Sequence, residues 1–501
     1  MDFTIYNLAI LLAAVVPSVL LHRIVKSYTR LSHVPGPFFC HITNLKRVYW
    51  VLTGQAHLHH QRLHSRHGPV VRTGPNSVFI SNPDDVPAVY PVRAGFPKAD
   101  FYKALQPYSP NKGTLPSLFS IQDEAIYRTM KNPIVPVFAP ANVMKYEVFV
   151  DQMLQAMSAK FDIKAAGDEL FDLGEWLMYF AFDVMGLMTF SKTYGFVESG
   201  NDVDGRHNTI FTYFKGAAPW TQITWLDQWV NKNHFLMRFR KTPGMAILGI
   251  VHKSVQERLK HGKGSKSEDS KDMLDNYLTI QQNNSAVPDW APQAWVYSNV
   301  VAGSDSVGTV MQTFAYNLLT DPRTTSALIS ELRSASLSKP FPKYSEVRNL
   351  PYLDACVNEA VRMHPPFCLP LERVVPEGGV TISGVYLPGG TNVGGNGYVV
   401  NRNEEVFGSN VDEWRPERWL ECSPEQKSRM SSGMLTFGAG RRSCMGKYIA
   451  VMEIKKLMPF LLLNYEMKIP DPKTHSVECA WFFKHKGILA QIRKRTEEEI
   501  E

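Results

Sequence analysis

A cysteine in a glycine-rich loop is the feature of this 501-residue sequence that most directly predicts chemistry. Residues 437–446 read F-G-A-G-R-R-S-C-M-G, and a helical pattern follows at 447–463. Gly438 and Gly440 would let the backbone turn sharply and lie flat against a large planar cofactor, and Gly446 would let the next helix come close to it. The backbone of this loop therefore predicts a site for a flat, bulky group.

The side chains of the same loop could hold such a group. A helix N-terminus directs N–H groups at the sulfur of Cys444, which favours the thiolate form that binds metals. Arg442 offers a forked donor to a carboxylate. The alternative is a buried structural cysteine in a glycine-rich turn, which a lone G-x-x-C would favour but which does not account for all ten positions.

These residues resemble the haem-binding loop of the cytochrome P-450 family, whose F-x-x-G-x-R-x-C-x-G pattern is met at every fixed position. The resemblance implies haem b as the cofactor, with Cys444 as the axial ligand of its iron. The other loop residues that it implies as cofactor contacts are Phe437, Gly438, Arg442 and Gly446.

Two further segments extend the resemblance. Glu359 and Arg362 look like the family's E-x-x-R pair, and P-E-R-W at 416–419 is similar to its P-E-R-F segment, with tryptophan in the last place. Glu359 and Arg362 fall on one helical face, where Arg418 can join them in a charge network. By resemblance this network is structural and supports the haem pocket.

Cationic residues elsewhere are implied as further cofactor contacts. Arg373 looks like the family's propionate-binding arginine, and Tyr127 and Lys131 fall where its W-x-x-x-R pattern is usual. Both of the latter depart from that pattern, so an amphipathic surface helix remains the alternative for their segment.

The segment A-G-S-D-S at 302–306 lies in a long apolar helical pattern and resembles the family's oxygen-binding A-G-x-D-T motif, with Ser306 in place of threonine. Gly303 would loosen the helix, while Asp305 and Ser306 would relay protons. A serine lacks the methyl group that restricts its rotamer, so coupling of oxygen use to product is expected to be less tight. The alternative is a buried helix with an ordinary glycine kink.

Histidines cluster at positions 57, 59, 60, 64 and 67. His60 and His64, at i and i+4, could share a metal ion, but Arg62 and Arg66 beside them favour a solvated helix face instead.

Helical periodicity dominates the chain, at residues 143–161, 173–188, 245–260, 295–319, 323–336 and 353–363. Residues 70–73 and 78–81 predict a β-hairpin, and 379–393 predicts further short strands. The predicted fold is mainly α with a minor β part, namely one large cytochrome P-450-like domain at 31–501 and an N-terminal transmembrane helix.

The transmembrane prediction rests on residues 3–21, which are uncharged and mostly apolar. Basic residues follow this stretch, so the positive-inside rule places the body in the cytosol. The anchor is assigned to residues 1–30, in the endoplasmic reticulum membrane; a cleaved signal peptide is the alternative.

By resemblance the protein is a monooxygenase that inserts one oxygen atom from O2 into a lipophilic small molecule. No nucleotide-binding glycine motif or flavin domain is present, so electrons are expected from NADPH through a partner reductase. Short segments look like filamentous-fungal members of secondary metabolism. The net charge of +7, without a basic run interleaved with aromatics, does not suggest a nucleic-acid partner.

Two other functions stay open. One is a haem-thiolate isomerase or dehydratase that needs no external electrons, and the other is a non-catalytic haem-binding sensor. The acid and hydroxyl at 305 and 306 favour oxygen activation over the first, and NADPH-dependent turnover would separate them.

Overall fold

The computed structural model describes residues 15, 17–19, 21–22, 24–93, 95–109, 113–237, 243–261 and 271–500. Most of the predicted anchor, including residues 1–14, lies outside these described residues. No helix within the described ranges combines the length and apolar composition that crossing a membrane requires.

Helices make up most of the described chain, as predicted. Those of at least eight residues are α1 (Leu45–Leu52), α2 (Ala56–His67), α3 (Glu124–Lys131), α4 (Glu147–Ala165), α5 (Leu173–Phe190), α6 (Arg206–Ala217), α7 (Pro243–His261), α8 (Met273–Asn283), α9 (Ala291–Thr320), α10 (Pro322–Ser334), α11 (Pro351–Met363), α12 (Pro424–Gly433) and α13 (Lys447–Asn464). Shorter α-helices lie at Val86–Val89, Pro140–Val143, Phe196–Ser199, Thr224–Val230, His234–Met237, Tyr344–Val347, Gly397–Val400, Glu404–Phe407 and Glu497–Ile500.

The strands are short and form small sheets. They are β1 (Val70–Gly74), β2 (Ser77–Ile80), β3 (Tyr108–Ser109), β4 (Gly113–Thr114), β5 (Phe171–Asp172), β6 (Arg373–Val374), β7 (Val380–Ile382), β8 (Val385–Leu387), β9 (Asn392–Gly395), β10 (Tyr465–Lys468), β11 (Ser476–Cys479), β12 (Phe483–Lys486) and β13 (Leu489–Lys494).

The largest sheet has the order β1-β2-β9-β6, in which β9 runs parallel to β2 and antiparallel to β6. The pairing of β1 with β2 confirms the predicted hairpin. Strands β10, β13 and β5 form a second sheet, and β11 and β12 form a hairpin. The first sheet carries Arg373 on β6, and the connection between β11 and β12 carries Trp481 and Phe482, so both β regions contribute to the site below.

The core is built around α9 and α5, which pack on each other more extensively than any other pair of elements in the described chain. Almost every residue of α5 is buried, as expected of a helix that is apolar on all sides. Glycines permit the close contact: a Cβ at Gly308 would lie 2.5 Å from the Met178 sulfur and 3.3 Å from its Cα. Helices α11 and α13 pack against another part of α9.

The predicted helices are present with small shifts at their ends. The largest shifts are of four residues: α9 begins at Ala291 rather than at 295, and α4 begins at Glu147 rather than at 143, because a 3-10 turn at Met144–Tyr146 comes first. Val143 and Tyr146 are both buried, so the apolar periodicity continues through the turn and does not mark the break.

The C-terminal end of the predicted anchor is joined to the first sheet. Residues 24–30 are helical, and the buried Arg72 of β1 donates to the carbonyl oxygens of Ser27 (2.8 Å) and Tyr28 (3.2 Å). A guanidinium at the carbonyl end of a helix satisfies acceptors that lack intrahelical partners. This contact ties the N-terminal segment to the globular body.

Candidate active site

A cavity of about 330 Å³ lies between α9, the start of α13 and the cysteine loop, a size typical of small-molecule sites. Seven of the predicted site residues line it: Ser306, Arg373, Phe437, Gly438, Arg442, Cys444 and Gly446. Other lining residues include Lys98, Tyr102, Phe119, Tyr127, Met185, Phe214, Tyr277, Ser298, Asn299, Ala302, Gly303, Phe367, Ile449, Ala450, Trp481 and Phe482. Two of the predicted site residues, Asp305 and Lys131, do not line this cavity.

The cysteine loop has the backbone that its glycines predicted. Gly438 and Gly440 have φ values of 64° and 63°, in the left-handed region that favours glycine. A Cβ at Gly440 would lie only 2.1 Å from the carbonyl oxygen of Tyr90. The Cys444 N–H donates to the carbonyl oxygen of Phe437 (2.8 Å), which closes the loop before α13 begins.

The Cys444 thiol faces the cavity. The cavity is its one open side, and protein atoms surround it elsewhere. Burial raises the pKa of the thiol, while the backbone N–H groups of Gly446 and Lys447 and the Lys447 charge act in the opposite direction. The helix N-terminus therefore supports a thiolate here, and a bound metal cation would favour the thiolate outright.

Positive charge is concentrated at one end of the cavity. Arg442 donates to the Glu124 carboxylate (2.6 Å) and to the Ile121 carbonyl oxygen (3.1 Å). Arg373 donates to the Tyr102 hydroxyl (2.7 Å). Lys98 is buried beside them, and burial and then the charges of both arginines lower its pKa well below the ordinary lysine value.

Glu124 is the one carboxylate that forms an ion pair with any of these three cations within the described part of the chain, since Glu372, next to Arg373, pairs with Arg47 instead. The excess of buried positive charge is unfavourable unless further anions neutralise it. Together with a thiol in the cavity wall, this donor set fits a haem, whose two propionates are anionic and whose iron accepts a thiolate ligand.

Lys131 and Tyr127 contact the cysteine loop itself. The Lys131 ammonium (2.7 Å) and the Tyr127 hydroxyl (3.1 Å) both donate to the carbonyl oxygen of Arg441. The Tyr127 ring also lies 3.3 Å from the Arg442 guanidinium carbon. The two positions that depart from the family pattern therefore hold the loop by hydrogen bonds, and Asp123 caps the helix that carries them.

The predicted charge network is present behind the site. Arg362 donates twice to the Glu359 carboxylate (2.8 and 2.9 Å) and Arg418 once (2.9 Å), all three groups being buried. The Trp419 indole N–H adds a bond of 3.0 Å, which a phenylalanine at this place could not make. Burial raises the pKa of Glu359, but the two arginines outweigh burial and hold it below the ordinary value.

The oxygen-motif segment lies on α9, which continues as a regular α-helix through Gly303. Gly303 faces α5, where a Cβ would lie 2.4 Å from the Met185 methyl carbon. The expected loosening of the helix is therefore not observed, and the glycine instead permits close packing. The Ser306 hydroxyl faces the cavity and donates to the Ala302 carbonyl oxygen (2.6 Å), while Asp305 lies 3.4 Å from His207 Nε2 on α6.

Aromatic rings form a wall of the cavity that begins at its cationic end, where the Phe119 ring lies 4.6 Å from Lys98 Nζ. The Trp481 ring stacks on Phe214 (5.5 Å between centroids) and meets Phe367 edge to face at 4.6 Å. Phe119 and Phe482 complete this wall. Such a surface favours a lipophilic ligand, in agreement with the lipophilic substrate that the resemblance implies.

The histidine cluster does not form the solvated face that was predicted. His57 and His60 on α2 are buried; His57 packs against Phe483 and Tyr398, and His60 is hydrogen-bonded to Asn396 (3.0 Å). The prediction was wrong here because α2 lies between sheet and core, so two of its histidines point inward. No group of possible metal ligands is found among the described residues.

Sequence reasoning missed Lys98, Glu124, Met185 and His207. None of them lies in a recognisable motif, and each reaches the site through packing of distant segments. A capped helix start at 123–124 was the one local signal, and it does not indicate which arginine Glu124 would meet.

Comparison with known proteins agrees with this geometry. The family model described as Cytochrome P450 matches residues 32–491. A cytochrome P-450 monooxygenase, mfmA, of Annulohypoxylon moriforme is 51% identical over 94% of this chain and 93% of its own. Another, pkfB, of Emericella nidulans is 47% identical over 98% of this chain and 96% of its own.

A third relative, the monooxygenase mpaDE of Penicillium roqueforti, is 50% identical over 94% of this chain, which spans 56% of that protein's length. The family match covers most of the chain, and two of these relatives are aligned over almost their whole lengths. The chain belongs to the cytochrome P-450 family of haem monooxygenases.

Proposed function

We propose that this monooxygenase holds haem b through Cys444 and oxidises a lipophilic small molecule in the cavity, with electrons that reach it from NADPH through a partner reductase. The observation that carries the proposal is the cavity itself. It brings a thiol, a cationic end and an aromatic wall together around one space.

The residues assigned to the cofactor have separate tasks. Cys444 would supply the axial thiolate, and Arg373, Arg442 and Lys98 would neutralise the propionates. Phe437, Gly438 and Gly446 would form the surface against the ring. Lys131 would act indirectly, because its hydrogen bond to the Arg441 carbonyl oxygen holds the cysteine loop in place. When bound, thiolate-ligated haem supplies the activation of dioxygen that permits oxidation of C–H bonds.

The aromatic wall would bind the substrate, whereas the cationic end of the cavity would bind the cofactor. Phe119, Phe214, Phe367, Trp481 and Phe482 would exclude water and bind an apolar body. The residue after Asp305 on α9 is Ser306, whose side chain lines the cavity, and its hydroxyl would hold a proton at the cavity edge of the relay. The relatives are fungal monooxygenases, which supports a role in fungal secondary metabolism.

The protein is proposed to lie on the cytosolic side of the endoplasmic reticulum membrane, with residues 3–21 as a single span. An exposed apolar patch supports membrane contact. Leu45, Tyr49 and Leu52 lie along one face of α1, and Trp225 and Trp229 lie on the helix Thr224–Val230; all five are more than half exposed. Arg47 of α1 donates to Gln222 (2.8 Å), so the two parts of the patch are neighbours.

The test of the ligand is Cys444→Ala. The reduced parent protein should bind carbon monoxide with the red-shifted Soret band of thiolate-ligated haem, and the variant should lack that band. Cys422→Ala is the matched control, because this half-buried cysteine does not line the cavity. A normal band in Cys444→Ala would refute the assignment.

The test of the relay is Ser306→Ala beside Asp305→Asn. Both variants should keep the carbon monoxide spectrum but release more hydrogen peroxide per NADPH oxidised, because general acid groups contribute about 10²–10⁴-fold. Parental coupling in both variants would show that proton delivery runs through other groups. Absence of NADPH-dependent turnover would favour the isomerase or the sensor, and product formed without NADPH would then identify the isomerase.

The test of membrane attachment is deletion of residues 1–23, which spares the contacts of Ser27 and Tyr28 with Arg72. Flotation with lipid vesicles should fall while haem content is retained. Trp229→Ser in the shortened protein should reduce the remaining binding further. Haem loss on deletion, or unchanged flotation, would contradict the proposed anchor.

A further inference from the structure

The carboxylate of the oxygen motif points away from the cavity towards α6. Asp305 Oδ1 lies 3.4 Å from His207 Nε2, and only about a tenth of either side chain is exposed (8% and 12%). The next residue, Ser306, lines the cavity. Asp305 and Ser306 therefore mark two sides of the same helical turn, one facing the haem site and the other facing an imidazole.

His207 is held firmly in this position. Its backbone N–H, near the start of α6, donates to the capping carboxylate of Asp202 (2.9 Å). The Phe182 ring of α5 meets the imidazole edge to face, with 5.3 Å between centroids. The backbone and the ring face are thus fixed by other groups, which leaves Nε2 directed at Asp305.

Other charged groups near Asp305 and His207 include Asp204, Arg206 and Lys484. Asp204 pairs with Arg206 at 2.7 Å. Lys484 on β12 is near enough to interact with Asp305; burial lowers its pKa, and Asp305 and Glu175 oppose that effect. Among the described residues, His207 is the one group in ion-pair contact with Asp305.

An imidazole exchanges its proton near neutral pH, unlike lysine or arginine. We propose that His207 supplies protons to Asp305: the imidazolium form gives its Nε2 proton to the Asp305 Oδ1 carboxylate, and the neutral imidazole that is left regains a proton from solvent, to which about a tenth of its side chain is exposed. His207 is a positioning and proton-supplying residue that acts through Asp305. The inference rests on the proposed role of Asp305 and Ser306 in proton delivery.

The first measurement does not depend on turnover. In the reduced, carbon monoxide-bound protein, the 15N signal of His207 Nε2 is assigned by its loss in His207→Gln. Asp305→Asn should shift this signal, because the charged acceptor is removed, whereas Ser306→Ala should leave it in place. A signal that is indifferent to Asp305→Asn would overturn the contact and with it the proposal.

The second measurement is the hydrogen peroxide formed per NADPH oxidised, with the haem-loaded enzyme, a reductase and no added substrate as the probe reaction. Peroxide takes two electrons from one NADPH, whereas reduction of O2 to water takes four electrons and further protons. His207→Gln keeps an N–H donor for Asp305 but cannot carry an exchangeable charge-bearing proton. Its rate of water formation should fall about tenfold or more at neutral pH and should vary less with pH than that of the parent.

His252→Gln on α7 is the matched control, since this histidine contacts an amide, Gln293 (3.2 Å), rather than a carboxylate. It should behave as the parent does. The double variant of His207→Gln with Asp305→Asn should be no worse than Asp305→Asn alone, because both residues act in one path.

Three outcomes would contradict the proposal or the proton relay on which it rests. Parental peroxide yield and pH profile in His207→Gln would overturn proton supply, because they would show that an N–H donor at this place is sufficient. Additive losses in the double variant would overturn action through Asp305. If the nitrogen signal responds to Asp305→Asn but Asp305→Asn leaves the peroxide yield unchanged, the proposed relay itself fails, while the contact between the two residues stands.

Discussion

The Glu359 carboxylate allows a quantitative prediction, because hydrogen bonds from two arginines, one tryptophan and one backbone N–H end on it. In Glu359→Gln an amide replaces one carboxylate oxygen and directs its own N–H groups at these donors. Arg362 and Arg418 would then be buried without a counter-charge. Breaking a buried ion pair in this way costs about 3–5 kcal/mol, or about a 100- to 5,000-fold change in the unfolding equilibrium.

The expected effect depends on pH in a defined direction. Although burial raises the pKa of Glu359, Arg362 and Arg418 hold it below the ordinary value of 4.5. A carboxylate with a lowered pKa contributes stability above its unfolded-state pKa and loses that contribution as the pH falls through the lowered value. The deficit of Glu359→Gln should therefore be constant from about pH 6 to 8 and shrink only below the ordinary glutamate range.

The assay is the guanidinium midpoint for loss of the red-shifted carbon monoxide band, measured at equal protein concentration. Trp419→Phe removes one bond to the charged group and should cost about 1.5–3 kcal/mol. Glu466→Gln, at a partly exposed pair with Arg493, is the control and should cost about 1 kcal/mol or less. A midpoint for Glu359→Gln equal to that of the control would refute the reasoning.

Three further substitutions test the packing of the site. Gly440→Ala should prevent stable haem incorporation, because the residue has a positive φ and a Cβ would lie 2.1 Å from a carbonyl oxygen; normal haem content would contradict this. Lys98→Gln removes a buried cation and should speed haem transfer to an acceptor protein about tenfold, with an unchanged rate as the opposing result. Gly308→Ala should lower the unfolding free energy by about 1–3 kcal/mol through contact with Met178, whereas Gly216→Ala, with open space around it, should not; equal thermal midpoints would refute the packing argument.

The sequence was most informative where a function depends on neighbouring residues. The cysteine loop is ten consecutive positions, so its two left-handed glycines and the helix start after it could be predicted without knowledge of the rest of the chain. The pair Glu359 and Arg362 was predictable for the same reason, because one helical turn fixes their separation. The main helices followed from apolar periodicity, which reports the buried face directly.

Long-range packing decided the remaining features. The clustering of Lys98 with Arg373 and Arg442 joins three distant segments, and the sequence holds no local trace of it. Gly303 was expected to loosen the helix, yet α9 is continuous through it and the missing side chain gives room to Met185 of α5. The prediction of a solvated face on α2 was wrong for the same reason, because the burial of His57 and His60 depends on which distant segments pack against this helix.

The sequence by itself determined the cofactor class and the enzyme family, and it predicted Cys444 as the ligand, because these depend on residue types at short, fixed spacings. Only the tertiary structure decided that Ser306 faces the cavity while Asp305 faces His207, 98 positions earlier in the chain. The physical reason is that successive helical residues point in directions about 100° apart, so which of them meets the cofactor depends on how α9 is rotated against α5 and α6. That rotation is set by the fit of many side chains across the interfaces, and no local pattern specifies it.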